Sequence, residues 1–245
     1  MTLRLLTFNA LFKGHVRERL RALGEILETS DHDVVCLQEV MYRADVRLLR
    51  DAAPSYRHRV CRGPVVLQGG LVVLSRLPVT GSRFVRFPMT GPVRPEFLMR
   101  KGALIVTVQS GGTSVDVVNT HLSANRDDDW SAENRYTRVA RAELAVVSGE
   151  ISGPTVVTGD LNLPRGSAPL TDFIHRNGLH DLMAGDSRPT YRPTAAWPDP
   201  PAFDHILASD GITGTADLVL REETTAAGDF LSDHFGVRAE LSLSR

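Results

Sequence analysis

The sequence has little cysteine, little lysine and no long apolar run. Cys36 and Cys61 are the only cysteines among 245 residues, too few for the disulfide framework of a small secreted protein. Lysine occurs only at Lys13 and Lys101, and no basic block marks a strong binder of nucleic-acid backbones. No apolar stretch approaches the roughly 20 residues of a membrane-spanning helix, and the N-terminal one is too short for a signal peptide. We therefore expect a cytoplasmic protein without a transmembrane segment.

The composition is otherwise that of an ordinary globular protein. Hydrophobic residues make up 42% and charged residues 23% of the chain, so disorder is excluded and a sizeable core can form. No internal repeat, low-complexity tract or flexible linker is visible. We therefore expect a single domain over residues 1–245.

Short apolar runs and helical periodicity predict a mixed α/β fold. Runs rich in Val, Leu and Ile, bounded by Gly, Pro, Ser or Asp, predict strands. Apolar residues three or four apart predict helices. Many strands in irregular alternation with few helices favour sheets packed face to face with helices outside. The predicted strands are 3–8, 34–37, 71–74, 103–108, 115–118, 155–157, 203–207 and 235–241, and the predicted helices are 17–28, 132–147 and 168–176.

Polar side chains lie at the boundaries of six of these strands. Four groups follow a strand and two precede one. In a sheet whose strands run both ways, the end of one strand and the start of an opposite one share an edge. We therefore expect these side chains to converge on one rim, where loops form a cleft. They are Asn9, Glu39, His121, Asp160, Asn162, Asp204, Asp233 and His234.

The donor types in this set indicate a hard cation and phosphate chemistry. An oxygen-rich group such as Asn9, Glu39 and Asp233 suits Mg²⁺ first and Mn²⁺ or Ca²⁺ next. Zinc is a poor fit because no HExxH or CxxC spacing occurs. A cation neutralises phosphoryl oxygens while a carboxylate activates water and an imidazole stabilises developing charge. The sequence thus predicts a metal-dependent hydrolase of phosphoric esters.

Six ordered motifs resemble the endonuclease/exonuclease/phosphatase superfamily, the family of DNase I. They extend over nearly the whole chain, from residue 7 to residue 234. The resemblance implies a four-layer α/β/β/α sandwich of two mixed, mostly antiparallel sheets flanked by helices. The motifs are Thr7-Phe8-Asn9, Leu37-Gln38-Glu39-Val40, Asn119-Thr120-His121-Leu122, Gly159-Asp160-Leu161-Asn162, Phe203-Asp204-His205-Ile206 and Ser232-Asp233-His234.

The resemblance also implies roles for the residues that would hold the metal and the water. Asn9 and Glu39 would hold the metal, and Asp233 would complete or support that site. Asp160 would orient and activate the attacking water. Asn162 would hold that water or a phosphate oxygen.

A further group would contact the substrate phosphate. His121 and His234 would touch the scissile phosphate, and Lys101 is another phosphate contact. Asp204 would pair with His234. Such a pairing should raise the pKa of the imidazole and fix its orientation.

Within the superfamily, the sequence is most similar to the neutral sphingomyelinase-like branch. The similarity lies in the glycine-rich segment 69–78, in Lys101-Gly102-Ala103 and in Gly178-Leu179-His180-Asp181. It implies a lipid-like headgroup as substrate, while the expected cytoplasmic location favours a small phosphorylated metabolite. Two alternatives stay open: a nuclease of DNA or RNA, disfavoured by the net charge of −1, and an inactive binding module, disfavoured by clustered carboxylates. The oligomeric state is not indicated.

Several other polar and aromatic residues have no assigned role. His205 should point to the opposite strand face from Asp204, which predicts a structural role. Trp130, Tyr191 and Trp197 lie in predicted loops, where they either anchor the loop or stack on a substrate. Arginine is too common for Arg94 or Arg100 to stand out as phosphate contacts. Whether loops 123–134 and 186–202 act as a substrate lid is also open.

Overall fold

The computed structural model describes residues 1–93 and 96–243, so Arg94 lies outside the described residues. In chain order the strands are β1 (Thr2–Asn9), β2 (Val34–Gln38), β3 (His58–Cys61), β4 (Val72–Ser75), β5 (Val79–Arg86), β6 (Gly102–Ser110), β7 (Thr113–His121), β8 (Thr155–Asp160), β9 (Leu179–Asp181), β10 (Asp204–Ser209), β11 (Ile212–Val219) and β12 (Gly236–Leu243). The helices are α1 (Val16–Thr29), α2 (Arg43–Ala52), α3 (Glu96–Met99), α4 (Arg135–Ser148) and α5 (Ala168–Arg176). Among these, no helix is both long and apolar enough to cross a bilayer.

The strands form two six-stranded sheets with matching organisation. One has the order β11-β12-β1-β2-β4-β3 and the other β5-β6-β7-β8-β10-β9. In each sheet the central pair is parallel, β1 with β2 and β7 with β8, and the other pairs are antiparallel. The carboxyl ends of both parallel pairs therefore define one end of the sandwich, and antiparallel β10 and β12 begin there.

Apolar packing produces four layers. One cluster fills the space between the sheets, with Leu5 and Val73 from one sheet against Val106 and Ile206 from the other. A second cluster packs α1 and α2 on the first sheet, and a third packs α4 and α5 on the second. Each fully buried Leu or Val side chain contributes about 1.5–3 kcal/mol relative to exposure. The predicted α/β/β/α sandwich of two mixed, mostly antiparallel sheets is confirmed.

The predicted elements agree with the structure at most positions, with differences at their ends. The predicted helix 132–147 begins later, at Arg135, because the Asn134 side chain accepts hydrogen bonds from the Tyr136 and Thr137 amides and caps the helix. The strands expected at Phe203 and Phe235 begin one residue later. Cys36 and Cys61 are free and buried in different clusters, on opposite faces of their sheet.

A buried polar network ties the two sheets together beside the carboxyl ends of the parallel pairs. The Gln38 side-chain amide donates to Thr7 Oγ1 at 3.0 Å and to Asn119 Oδ1 at 2.8 Å. Asn119 Nδ2 in turn donates to the carbonyls of Leu37 and Val72 at 3.0 Å each. Asn119 lies on β7, whereas its partners lie on β2 and β4 of the other sheet. The network therefore fixes how one sheet sits on the other near the cleft.

Replacing Asn119 with alanine is expected to lower the free energy of unfolding by about 2–4 kcal/mol, because buried partners lose their hydrogen bonds. Urea denaturation followed by circular dichroism measures this loss. Thr113→Ala, at the partly exposed start of the same strand, is the control and should change stability by less than about 0.5 kcal/mol. Equal stability of the two variants would contradict this account of the network.

Candidate active site

The structure brings the predicted side chains together at the carboxyl ends of the parallel pairs. Asn9 ends β1, His121 ends β7 and Asp160 ends β8, while Asp204 begins β10. A cleft of about 390 Å³ opens at this end. Asn9 and Asp204 are buried just below its surface. The cleft is lined by Glu39, Lys101, His121, Asp160, Asn162, Asp233 and His234, among others.

A glycine allows β8 to bring Asp160 into this position. Gly159 has a φ of 138°, and a Cβ there would lie 1.9 Å from the Thr120 carbonyl oxygen. A larger residue would therefore push β8 away from β7 one residue before the carboxylate.

Asn9 connects two carboxylates on the floor of the cleft. Its Nδ2 donates to Glu39 Oε1 at 3.3 Å and to Asp160 Oδ2 at 3.0 Å. Its Oδ1 accepts from the Leu11 amide at 3.1 Å. One neutral side chain thus holds two acidic groups close to each other, although their charges repel.

Glu39 is held in an unusual backbone conformation. Its φ is 62°, in the left-handed region that non-glycine residues rarely adopt. Gly70, itself at φ 65°, packs so closely that a Cβ there would lie 3.2 Å from the Glu39 Cα. The Phe12 amide donates to Glu39 Oε2 at 2.9 Å and fixes the carboxylate. Strain of this kind concentrates at functional sites, where the surroundings hold it in place.

Asp160 Oδ2 lies close to Asn9 and to both histidines of the site. Besides the bond from Asn9, it lies 3.5 Å from His121 Nε2 and 3.7 Å from His234 Nε2. Burial, together with the neighbouring charge of Asp204, raises the pKa of Asp160 to about 6. This carboxyl is therefore a far better proton acceptor near neutral pH than an exposed aspartate.

His234 and Asp204 form a buried pair behind this carboxyl. His234 Nδ1 lies 2.9 Å from Asp204 Oδ2, which is the predicted contact. Burial alone would lower the pKa of His234, but the charges of Asp204 and Asp160 raise it to about 10. The ring is therefore an imidazolium at neutral pH, with Nε2 directed toward Asp160.

His121 and Lys101 line the same cleft in different charge states. Burial and the positive charge of Lys101 hold the pKa of His121 well below its ordinary value, so this ring is neutral. Burial lowers the pKa of Lys101, and its ammonium donates to the Leu122 carbonyl at 2.7 Å. Both groups present N–H donors toward the cleft.

Asn162 completes the turn that follows β8. Its amide donates to Asp160 Oδ1 at 3.0 Å, and its Nδ2 donates to the Leu122 carbonyl at 3.0 Å. The residue lies in the left-handed region at φ 49°. The Asx turn and a position in the cleft are thus compatible. By contrast, His205 points away from the cleft, with Nε2 at 2.9 Å from the Leu163 carbonyl.

The oxygen donors at the cleft fit a hard divalent cation. Glu39 and Asp233 both line the cleft, and within residues 1–93 and 96–243 neither forms an ion pair with a basic side chain. A bound cation would relieve the repulsion among these carboxylates. Donor atoms of Asp160, Asp204 and His234 also lie within 4.8 Å of one another. Since a protonated imidazole cannot bind a metal, the oxygen set is the better fit.

Arg19 is a site-supporting residue that no motif revealed. The side chain is 4% exposed and lies at the start of α1. Its guanidinium holds the loop after β1 and the segment before Asp233 together. The five bonds are from Nη1 to the carbonyls of Ala10 and Leu231, and from Nη2 to those of Leu11, Lys13 and Gly14, at 2.6–2.9 Å.

Replacing Arg19 with lysine is expected to weaken Mg²⁺ binding about tenfold, because one ammonium cannot hold carbonyls of both loops. Titration calorimetry measures the affinity, and activity at saturating Mg²⁺ should fall much less. Arg21→Lys, an exposed position two residues along the same helix, is the control. An unchanged Mg²⁺ affinity in the Arg19 variant would show that the clamp does not position the site.

The structure decides between the two interpretations of the loop aromatics. Trp130 and Trp197 both pack on Phe203, at ring-centroid distances of 6.0 and 5.9 Å. Trp130 Nε1 also donates to the Asn162 carbonyl at 3.2 Å. These two residues therefore anchor loops 123–134 and 186–202. Tyr191 instead lines the cleft.

Tyr191 contacts both sides of the site. Its hydroxyl donates to Asp233 Oδ2 at 3.2 Å, and its ring lies edge-on to His234 with centroids 5.0 Å apart. Burial and the charge of Asp233 raise the pKa of Tyr191 to about 12, so the hydroxyl keeps its proton. No sequence motif distinguished this tyrosine from the other loop aromatics.

Comparison with known proteins identifies the family of this chain. A model described as the Endonuclease/Exonuclease/phosphatase family matches residues 6–234. The chain belongs to this family. Membership confirms the resemblance based on the six motifs. It also confirms the predicted class of enzyme, a hydrolase of phosphoric esters.

Relatives within the family carry lipid-related names. The chain is 26% identical over 217 residues to the inositol phosphosphingolipids phospholipase C of Saccharomyces cerevisiae, covering 74% of this chain and 45% of that protein. It is 25% identical over 252 residues to a putative neutral sphingomyelinase of Drosophila melanogaster, covering 93% of this chain and 57% of that protein. The chain thus spans about half the length of these relatives. They confirm the resemblance to the sphingomyelinase-like branch.

Several solved structures share the fold over the full chain. D. rerio TDP2 complexed with a single-strand DNA product has a TM-score of 0.78 and 20% identity, covering 98% of this chain and 99% of that one. A Staphylococcus aureus beta toxin mutant with bound magnesium ions has a TM-score of 0.74 and 17% identity, with complete coverage of both chains. At these identities the likeness shows the shared fold.

Proposed function

We propose that the protein is a Mg²⁺-dependent phosphodiesterase that hydrolyses the phosphodiester of a lipid-like headgroup by attack of water on phosphorus. The observation that carries this proposal is the convergence at Asp160. A carboxyl with a raised pKa, an imidazolium and two further N–H donors face one cleft beside an oxygen-rich set of donors. A general base, Asp160, thus lies a few ångströms from His234, which can stabilise charge that develops on the phosphate.

In this proposal the chain's own residues divide the work. Asp160 orients the water and accepts its proton, and its raised pKa suits that task. His234 donates a hydrogen bond to a phosphoryl oxygen as charge accumulates, and Asp204 keeps the ring oriented and protonated. His121, Lys101 and Asn162 add donors to the phosphate without forming bonds to phosphorus.

Asn9, Glu39 and Asp233 are the residues that would hold the cation. Their carboxylate and amide oxygens are the ligands that Mg²⁺ prefers in proteins, with Mn²⁺ or Ca²⁺ as substitutes. When bound, the cation supplies charge neutralisation for the phosphoryl oxygens and the leaving oxygen. A magnesium-bound beta toxin of the same fold supports the choice of metal.

The lipid-like substrate is supported by the cleft wall and by the relatives. Leu11, Met41 and Met99 add apolar side chains to the lining of the cleft. The yeast and fly relatives are named for phosphosphingolipids and for sphingomyelin. A small phosphorylated metabolite is the alternative substrate for the same reaction. Cleavage of nucleic acid is the alternative to test, because TDP2 shares the fold.

The test is a hydrolysis screen at one enzyme concentration, with Mg²⁺ or with a chelator. The substrates are a soluble aryl phosphodiester, sphingolipid vesicles, inositol phosphates, a tyrosyl oligonucleotide and plasmid DNA. The proposal predicts metal-dependent release from the soluble diester and the sphingolipid, and release slowed by about 10²- to 10⁴-fold in Asp160→Asn. Preferential cleavage of an oligonucleotide would favour the nuclease, and no turnover of any substrate would favour an inactive binding module.

A cytoplasmic location is part of the proposal. Both cysteines are free and lie in different core clusters, which is compatible with a reducing compartment. Cell fractionation tests this assignment, and recovery of the protein in the medium would contradict it.

A further inference from the structure

Exposed apolar side chains are concentrated at one end of the molecule. In residues 1–93 and 96–243, nine large apolar side chains are exposed, and all except Met1 lie at the end of the sandwich that holds the cleft. Seven of them lie on four neighbouring connections: β1 to α1, β2 to α2, β3 to β4 and β5 to β6. This set, here called the apolar rim, comprises Phe12, Tyr42, Val65, Val66, Met89, Val93 and Leu98.

The sheet topology places these connections on one side of the cleft mouth. The β3–β4 connection belongs to one sheet and the β5–β6 connection to the other, and β4 packs against β6 across the core. The apolar rim therefore spans both sheets along one border of the cleft. Phe12 also lines the cleft itself, beside Met41 and Met99. One member of the apolar rim thus lies in the cleft itself.

Two residues of the apolar rim are almost fully exposed. Val93 is 92% exposed and Leu98 is 85% exposed. Isolated exposed apolar residues are ordinary, but a group of seven beside a functional cleft marks an interaction surface. Folding gains nothing from holding these side chains in water.

The charge around the rim favours an anionic surface. Lys13, Arg86 and Arg100 are exposed on the same connections. Glu96, an acidic residue of the β5–β6 connection that also lines the cleft, is mostly buried and pairs with Arg126 at 3.1 Å. By contrast, the β11–β12 connection across the mouth exposes Glu222, Glu223 and Asp229. Cationic side chains therefore accompany the apolar rim, and exposed acidic ones lie on the β11–β12 connection and at 127–129 on the β7–α4 connection.

We propose that the apolar rim docks the protein on a lipid bilayer, with the cleft mouth at headgroup depth and the basic side chains on anionic headgroups. This inference rests on the proposed function and adds the protein surface that would bring the cleft to a lipid substrate in a bilayer. Five of the seven rim side chains are aliphatic, and aliphatic groups suit the acyl boundary of a bilayer. Nucleic-acid bases would instead be expected to meet a series of aromatic platforms.

The test measures vesicle binding separately from hydrolysis. Flotation with phosphatidylcholine vesicles, with and without phosphatidylserine, is performed in chelator so that no turnover occurs. The wild-type protein should float with both vesicle types and more strongly with the anionic one. The double variant Val65→Glu/Leu98→Glu should lose vesicle partitioning about tenfold or more, because two apolar groups no longer enter the interface.

The double variant Thr213→Glu/Ser114→Glu is the matched control. It adds the same two charges at exposed positions on β11 and β7, at the opposite end of the sandwich. This variant should bind vesicles like the wild type, and both variants should keep the wild-type melting temperature. Hydrolysis of the soluble aryl diester should also be unchanged in the rim variant, while hydrolysis of vesicle lipid falls with binding.

The outcomes separate this inference from the proposed function. If the wild type floats with neither vesicle type, or the rim variant floats as well as the wild type, the docking surface is wrong even where soluble hydrolysis persists. If the wild type self-associates with rising concentration and the rim variant does not, the rim is a contact between copies and the inference is also overturned. If the rim-dependent flotation is present but no diester is cleaved, docking stands and the proposed activity fails.

Discussion

Replacing Asp160 with asparagine is expected to lower kcat by about 10²- to 10⁴-fold, the range that loss of a positioned general base produces. The amide keeps the size of the side chain and an oxygen for one of the two bonds, from the Asn162 amide or from Asn9 Nδ2, but it cannot accept the proton of water. Hydrolysis of a soluble aryl phosphodiester at saturating Mg²⁺ measures the change.

His175→Ala on α5 is the control for this experiment, because that imidazole is exposed and far from the cleft. Its kcat should remain within about twofold of the wild type, consistent with a surface change. Circular dichroism must show that the Asp160 variant is folded. A folded Asp160→Asn enzyme with near-normal kcat would remove the water-activating role from this residue.

The second large effect on kcat is expected from substitutions in the buried pair of His234 and Asp204. His234→Ala should lower kcat by about 10²- to 10⁴-fold, and Asp204→Asn by a similar or smaller factor. Because the two residues act as one unit at 2.9 Å, the double variant should be no slower than His234→Ala alone. Single-turnover rates of the three variants test this non-additivity. Multiplicative losses would show that the residues act independently.

Asp204→Asn should also change the pH profile. The carboxylate raises the pKa of His234, so its removal should lower that pKa. An imidazolium that is needed for activity is then lost at lower pH, and the alkaline limb of the kcat profile should move down. An alkaline limb at the wild-type pH would mean that a group other than His234 sets it.

The four strands that the sequence did not predict are the four edge strands. β3 and β11 border one sheet, and β5 and β9 border the other. An edge strand buries fewer of its side chains, and β5 alternates between half-buried and exposed positions along its length. Without a continuous apolar run, such a segment resembles a loop in sequence. Helix α2 was also missed, since only Val46 and Leu49 form its apolar stripe.

The site residues were easier to predict from the sequence than the edge strands, because only a few types of side chain can carry this chemistry. Carboxylates and imidazoles at strand ends are visible in sequence, and the alternation of strand direction brings them to one rim. The supporting residues are not visible in this way. Arg19 acts through five backbone carbonyls, and an arginine in a helix that faces the core gives no pattern. The apolar rim was also hidden, because single exposed Val or Leu residues in separate loops have no periodicity.

The most direct test of the central claim is anomalous diffraction from crystals soaked in Mn²⁺. Our account predicts one strong peak in the cleft, bonded to a carboxylate oxygen of Glu39 and close to Asn9 and Asp233, with His234 still paired to Asp204 and free of metal. A cleft without a peak, or a peak bonded to His234 and away from Glu39, would contradict the account.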